Sequence, residues 1–159
     1  MSLSRALLAI RGPRDRFHEL FLRVWGYYRL VETSPPLNSF EEFRAWSEPR
    51  SGYLKGEHPN DVKAFWQDGD WAVLLDLAGQ LIDEPARLAA LSREVGVVAA
   101  GLTQGTSGTA MFSLFEKGSV RREITRSEGK ELANFGEPIP AEQGRRVADG
   151  FSVGELDRL

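Results

Sequence analysis

The sequence predicts an α+β fold: a single mixed sheet containing a β-α-β unit followed by an antiparallel hairpin, covered by N-terminal helices. Three observations lead there. Trp71-Ala72-Val73-Leu74-Leu75-Asp76-Leu77 is apolar at six of seven positions, the pattern of a strand covered on both faces. A helical spacing follows it and gives way at Gly96 to a second apolar run, Val97 to Leu102. Beyond that, Thr109 to Glu116 and Ser119 to Thr125 flank Lys117-Gly118, where glycine supplies the positive φ of a tight turn.

In chain order, Leu3 to Arg11 reads as a strand or a short helix, ended by Gly12-Pro13. From Arg14 the positions Phe17, Leu20, Phe21, Val24 and Tyr28 form a helical stripe that stops near Gly26. Tyr27 to Glu32 alternates weakly, as a strand would, up to Thr33-Ser34-Pro35-Pro36. Ser39-Phe40-Glu41-Glu42 has capping-box spacing and predicts a helix to about Ser47. Glu48 to Asp70 is a long connection punctuated by Pro49, Gly52, Gly56, Pro59 and Gly69, with a single helix from Asn60 or Asp61 through Trp66. Twelve of the 16 aromatic residues lie between Phe17 and Trp71, so this half supplies the layer over the sheet or, in part, a contact surface.

The strand from Trp71 is placed inside the sheet. Asp83-Glu84-Pro85 opens a helix with an acidic cap and a first-turn proline; Leu88, Leu91, Ser92 and Val95 form its buried stripe. A parallel return at Val97 to Leu102 requires a right-handed crossover. In the hairpin, pairing Phe115 with Val120 sets Met111 and Ser113 opposite Ile124 and Arg122, and Phe112 and Leu114 opposite Glu123 and Arg121. The second hairpin strand, with its charges, reads as the sheet edge. Ser127-Glu128-Gly129-Lys130 is a turn, and Asn134 to Pro140 an extended tail. Ala141 to Asp149 and Val153 to Leu159 read as short helices, and the abrupt ending at Leu159 leaves open a longer natural chain.

At 159 residues and 42% hydrophobic, residues 1–159 suffice for one globular domain. Net charge is −3, and each side of Trp71 carries ten basic residues, so no basic footprint points to nucleic acid. The absence of cysteine removes thiolate chemistry and disulfides and fits a cytoplasmic setting. The apolar run Ala6 to Ile10 is too short for a signal sequence or a membrane span.

Chemistry-bearing residues are sparse. His18 and His58 lack metal-ligand spacing; His18 lies beside a helical stripe, and His58 sits in the loop Gly56-Glu57-His58-Pro59-Asn60-Asp61. The stretch Gly101 to Thr109 has neither the spacing nor the lysine of a phosphate loop and leads into a strand, so Gly105 to Gly108 reads as a hairpin loop. Asp76 and Arg122 are charges written into apolar strands, where an unpaired ion is costly; they either meet each other in space, form structural ion pairs, or, for Asp76 at its strand end, reach solvent. Arg121 and Glu123 read as a solvated edge.

Three segments, Asp68 to Asp76, Leu91 to Gly96 and Asn134 to Glu142, resemble a diffuse group of small bacterial proteins, over residues 46–145. The resemblance implies an immunity protein, a cytoplasmic binder that blocks a secreted toxin by covering it. The matched residues are scaffold, so no site residue transfers with it. The expectation is therefore a non-enzymatic protein-binding module whose partner is a toxin or a second copy of itself, with no cofactor or metal. Its candidate contact residues are Tyr53, His58, Trp66, Asp76, Arg121 and Arg122. The alternative is a small-molecule-binding domain or minor enzyme with a cleft near His58, Asp76 and the Gly105 to Gly108 loop.

Overall fold

The computed structural model describes residues 4–50 and 62–142. Seven strands form one sheet: β1 (Ser4–Arg11), β2 (Lys63–Asp68), β3 (Trp71–Asp76), β4 (Val97–Gln104), β5 (Thr109–Glu116), β6 (Ser119–Ser127) and β7 (Lys130–Phe135). Their order is β2-β3-β1-β4-β5-β6-β7. With helices α1 (Arg14–Val24), α2 (Phe40–Ser47) and α3 (Pro85–Val95), the class is α+β.

β1 explains how the β-α-β unit is arranged. The chain runs β3, α3, β4, but β1 lies between the two strands and pairs antiparallel with each. β3 and β4 therefore point the same way without touching, and every ladder of the sheet is antiparallel. β3 is inside the sheet and buried at all six positions.

Period-two alternation divides the core into two faces. Leu8, Ile10, Ala72, Leu74, Val98, Ala100 and Phe115 face a layer built from Phe17, Leu20 and Phe21 of α1 and Leu88 and Leu91 of α3. Ala9, Trp71, Val73, Ala99, Phe112 and Leu114 face the other way, packed with Ile139 and Ala141. α3 follows most of its sequence signals, with Pro85 in the first turn, Leu88, Leu91 and Ser92 buried, and Gly96 at φ 88° ending it. The expected acidic cap does not form: Glu84 occupies the N-cap position, and its carboxylate accepts from Trp25, Tyr27 and Arg87 instead of from the helix N–H groups. The Ser92 hydroxyl also accepts the Gly118 N–H at 2.8 Å, tying the helix to the β5–β6 turn. At α2 the Ser39 hydroxyl accepts the Glu42 N–H, whereas the Glu42 carboxylate reaches the N–H of Asn38, not that of Ser39.

Four other expectations are corrected. The helix through Trp66 is instead β2, over Lys63–Asp68. Gly69, at φ 55°, forms a two-residue loop with Asp70 and folds this segment back onto β3, and pairing with the most buried strand overrides local helix propensity. Tyr27 to Glu32 is irregular, because its tyrosines turn toward Glu84 and Phe21 instead of meeting a strand. β6 is not the edge: Glu128 and Gly129, at φ 50° and 75°, make another tight turn into β7, so the first part of the expected tail is a strand.

The fourth correction concerns register. Phe115 does pair with Val120, but the next pair is Leu114 with Arg122, leaving Arg121 as the extra residue of a bulge. Phe112 and Leu114 therefore oppose Ile124 and Arg122, and Met111 and Ser113 oppose Thr125 and Glu123. The slip buries Ile124 completely and leaves Arg121 exposed. Gly136 seats against the bulge: a Cβ there would lie 2.1 Å from the Arg121 carbonyl oxygen.

Candidate functional site

Two buried charges sit on opposite faces of the sheet, at strands separated by β1, β4 and β5. Asp76 ends β3 with no exposure at all. Its cross-strand neighbour is Lys63, whose ammonium is 2.6 Å from Oδ1 and 5.3 Å from the centre of the Tyr28 ring. The carboxylate also accepts the N–H groups of Ala78 and Leu81, at 3.0 and 3.1 Å. Asp76 thus holds the turn that leads into α3.

Arg122 is 3% exposed. Nε and Nη2 donate to the two Glu142 oxygens at 2.7 and 2.8 Å, while Nη1 donates to Asn134 Oδ1 and to the carbonyls of Phe135 and Gly136. The paired hydrogen bonds lower the Glu142 carboxyl below its ordinary range and raise the guanidinium. One side chain therefore clasps the chain after β7 onto the sheet. Asp76 and Arg122 do not meet; each has a structural partner of its own.

A third polar cluster joins the end of α1 to the start of α3. The Glu84 carboxylate accepts from Trp25 Nε1 at 3.1 Å, from the Tyr27 hydroxyl and from Arg87 Nε at 2.6 Å, and Arg87 also donates to the Val24 carbonyl. The Tyr27 phenol is pushed up to about 12, first by desolvation of its hydroxyl and then by the hydrogen bond to Glu84. The ring of Tyr27 is nonetheless exposed, like Leu30 and Val31 after it; Val31 is 83% exposed.

These exposed apolar residues border a groove of about 1380 Å³. One wall is the continuous segment from Tyr27 to Phe40; the other is the run from Val62 to Gln67, which includes most of β2. His18 and Phe21 line it from α1, and Phe43 and Trp46 from α2. His18 contacts Phe65 edge-on, with ring centres 5.2 Å apart, so its surroundings are aromatic. On the rim, Arg50 holds Glu32 at 3.1 Å and lowers its carboxyl.

Of the residues singled out from sequence, Trp66 is half-buried in the groove wall, whereas Asp76 is fully buried and bonded to Lys63, which lines the groove. Arg121 is exposed on the bulge, 3.7 Å from Glu116, and Arg122 is buried in the clasp. Tyr53 and His58 lie outside the described residues. Gly105 to Gly108 is the β4–β5 hairpin loop, where Ser107 bonds Gln104 and Thr109, and Thr109 bonds Ser127. Lys63 was missed, although counting back from the Asp68-Gly69 turn signal places it opposite Asp76.

Among the described residues no group of three or more metal-ligating side chains converges, and no helix is long and apolar enough to cross a membrane. No family model, curated protein or solved structure matches the chain.

Proposed function

We propose that this is a non-enzymatic protein-binding module, of the immunity type that the sequence resemblance implies, acting in the cytoplasm by covering a partner protein. The observation that carries this is the aromatic groove beside exposed Tyr27, Leu30 and Val31. Contiguous apolar surface rimmed by charge is the usual mark of a protein contact, and aromatic and arginine side chains supply most binding hot spots. Asp76 and Arg122 are used up in holding the scaffold, which leaves the exposed aromatic and arginine residues as the anchors. The test is co-expression with the product of the adjacent gene, an immunity protein being expected beside its toxin. A stable complex and rescue of growth are the expected results. Substrate turnover in a hydrolase screen, with no complex formed, would replace the binding module with an enzyme.

A further inference from the structure

We infer that the groove takes an extended, acidic segment of a partner protein, added as an eighth strand along the outer edge of β2. This rests on the binding role proposed above and names the chemistry of the partner at that site.

Main-chain geometry comes first. β2 ends the sheet, and it pairs with β3 without interruption from Lys63–Asp76 to Asp68–Trp71. The two-residue loop at Gly69-Asp70 makes Asp68–Trp71 a hydrogen-bonded pair, so Trp66 and Ala64 direct their N–H and C=O toward β3. Phe65 and Gln67 turn theirs the other way, into the groove. Among the described residues no backbone hydrogen bond reaches those outward groups. A row of outward donors and acceptors at strand spacing is complementary to one thing above all, another extended main chain.

The other edge shows that such access is not general in this molecule. The pairing of β7 is broken by a register shift between Thr125 and Arg126 that leaves Leu132 as an extra residue, and Gly136 at φ 83° ends the strand. Bulges and charges of this kind blunt an edge against added strands, and β7 also begins with Lys130-Glu131. β2 is regular, and its outward side opens on a groove instead of on bulk solvent.

Side chains define the occupant further. A strand laid on β2 sends alternate residues to the two faces of the sheet, past Phe65 and Tyr28 on one side and Trp66 and Phe43 on the other. Both rows are aromatic, so the central residues of the occupant are apolar on both sides. Charge sets its ends. The lining carries Arg14, Arg29, Arg50 and Lys63 against Asp15 and Glu32, and with Lys63 answered by Asp76 the cations still outnumber the anions, in a chain whose net charge is −3. Arg29 has no ion-pair partner among the described residues and is the natural contact for a carboxylate.

The experiment titrates the full-length protein with a capped hexapeptide, Glu-Val-Phe-Val-Val-Glu, and with two relatives, one carrying lysine for both glutamates and one carrying proline for the central valine. Affinity is read by fluorescence anisotropy and the contact by amide hydrogen exchange. The acidic peptide is expected to bind and to protect the amides of Phe65 and Gln67. The lysine and proline peptides should each bind about tenfold more weakly, the proline one because it cannot complete the main-chain pairing. Arg29→Glu should weaken the acidic peptide and strengthen the lysine one. Equal affinity for the proline peptide, or binding without protection at Phe65 and Gln67, overturns the β2 assignment, as does protection of both amides before any peptide is added. A toxin complex that forms while those two amides stay unprotected keeps the binding module and removes this site.

Discussion

The two edges of the sheet have opposite designs. β7 leaves five of its six residues exposed, carries a bulge at Leu132 and is stopped by Gly136, after which Arg122 gathers the chain back through five hydrogen bonds. β2 has no bulge, buries its first four residues partly, and is held at one end by the buried Lys63–Asp76 pair and at the other by the Gln67 amide, which donates to the Gly12 carbonyl and accepts the Arg14 N–H. A bulged, tethered strand discourages pairing, whereas a regular strand bordering an aromatic groove permits it. The lesson is that the same topological position can be closed or open, and that a few buried polar contacts decide which.

Removing the buried anchor of β2 should have the largest effect. Lys63→Met leaves the Asp76 carboxylate buried with no counter-charge, a loss of about 3–5 kcal/mol, measured as a lower urea midpoint at unchanged slope. Loss of less than about 1 kcal/mol would mean that the carboxylate finds water there or becomes protonated at little cost.

Acid tests the clasp at the other edge. Glu142 has a carboxyl lowered from 4.5, first by its hydrogen bonds to Arg122. Its contribution is complete above the unfolded value and disappears as pH falls through the depressed folded one. The stability lost between pH 7 and pH 3 should therefore shrink in Glu142→Gln, as read by urea unfolding at both pH values. An unchanged pH dependence would show that the clasp is not linked to that proton.

Smaller still is a pair of glycine substitutions at the two ends of β7. Gly129→Ala costs about 1–2 kcal/mol, the penalty of the left-handed backbone alone, since nothing lies within 4 Å of its Cβ position. Gly136→Ala adds to this the displacement of the Arg121 carbonyl. Differential scanning calorimetry should rank Gly136→Ala as the less stable; equal losses would mean that the bulge yields freely.

Much of this arrangement is legible in the sequence. The two-sided burial of β3 follows from its apolar run, α3 from its proline and glycine punctuation, and the β5–β6 turn from Lys117-Gly118. Both edge strands were harder. β2 mixes Lys63, Gln67 and Asp68 with Phe65 and Trp66, so its periodicity is ambiguous until Gly69 is recognised as a hairpin turn. The bulge at Arg121 leaves no local signal at all, because it depends on Gly136, fifteen residues away, seating against a carbonyl. For the same reason the partner of Arg122 could not be read: Glu142 reaches it only through the path of the chain after β7. The groove shares that difficulty, since its walls come from segments separated in sequence and brought together by the sheet.

The openness of the β2 edge is the claim on which the added-strand site turns, and amide exchange in the free protein tests it most directly. Ala64 and Trp66, bonded to β3, should exchange slowly, while Phe65 and Gln67 exchange close to the rate of an unprotected peptide. Slow exchange at all four residues would mean that the edge is already covered, and would contradict it.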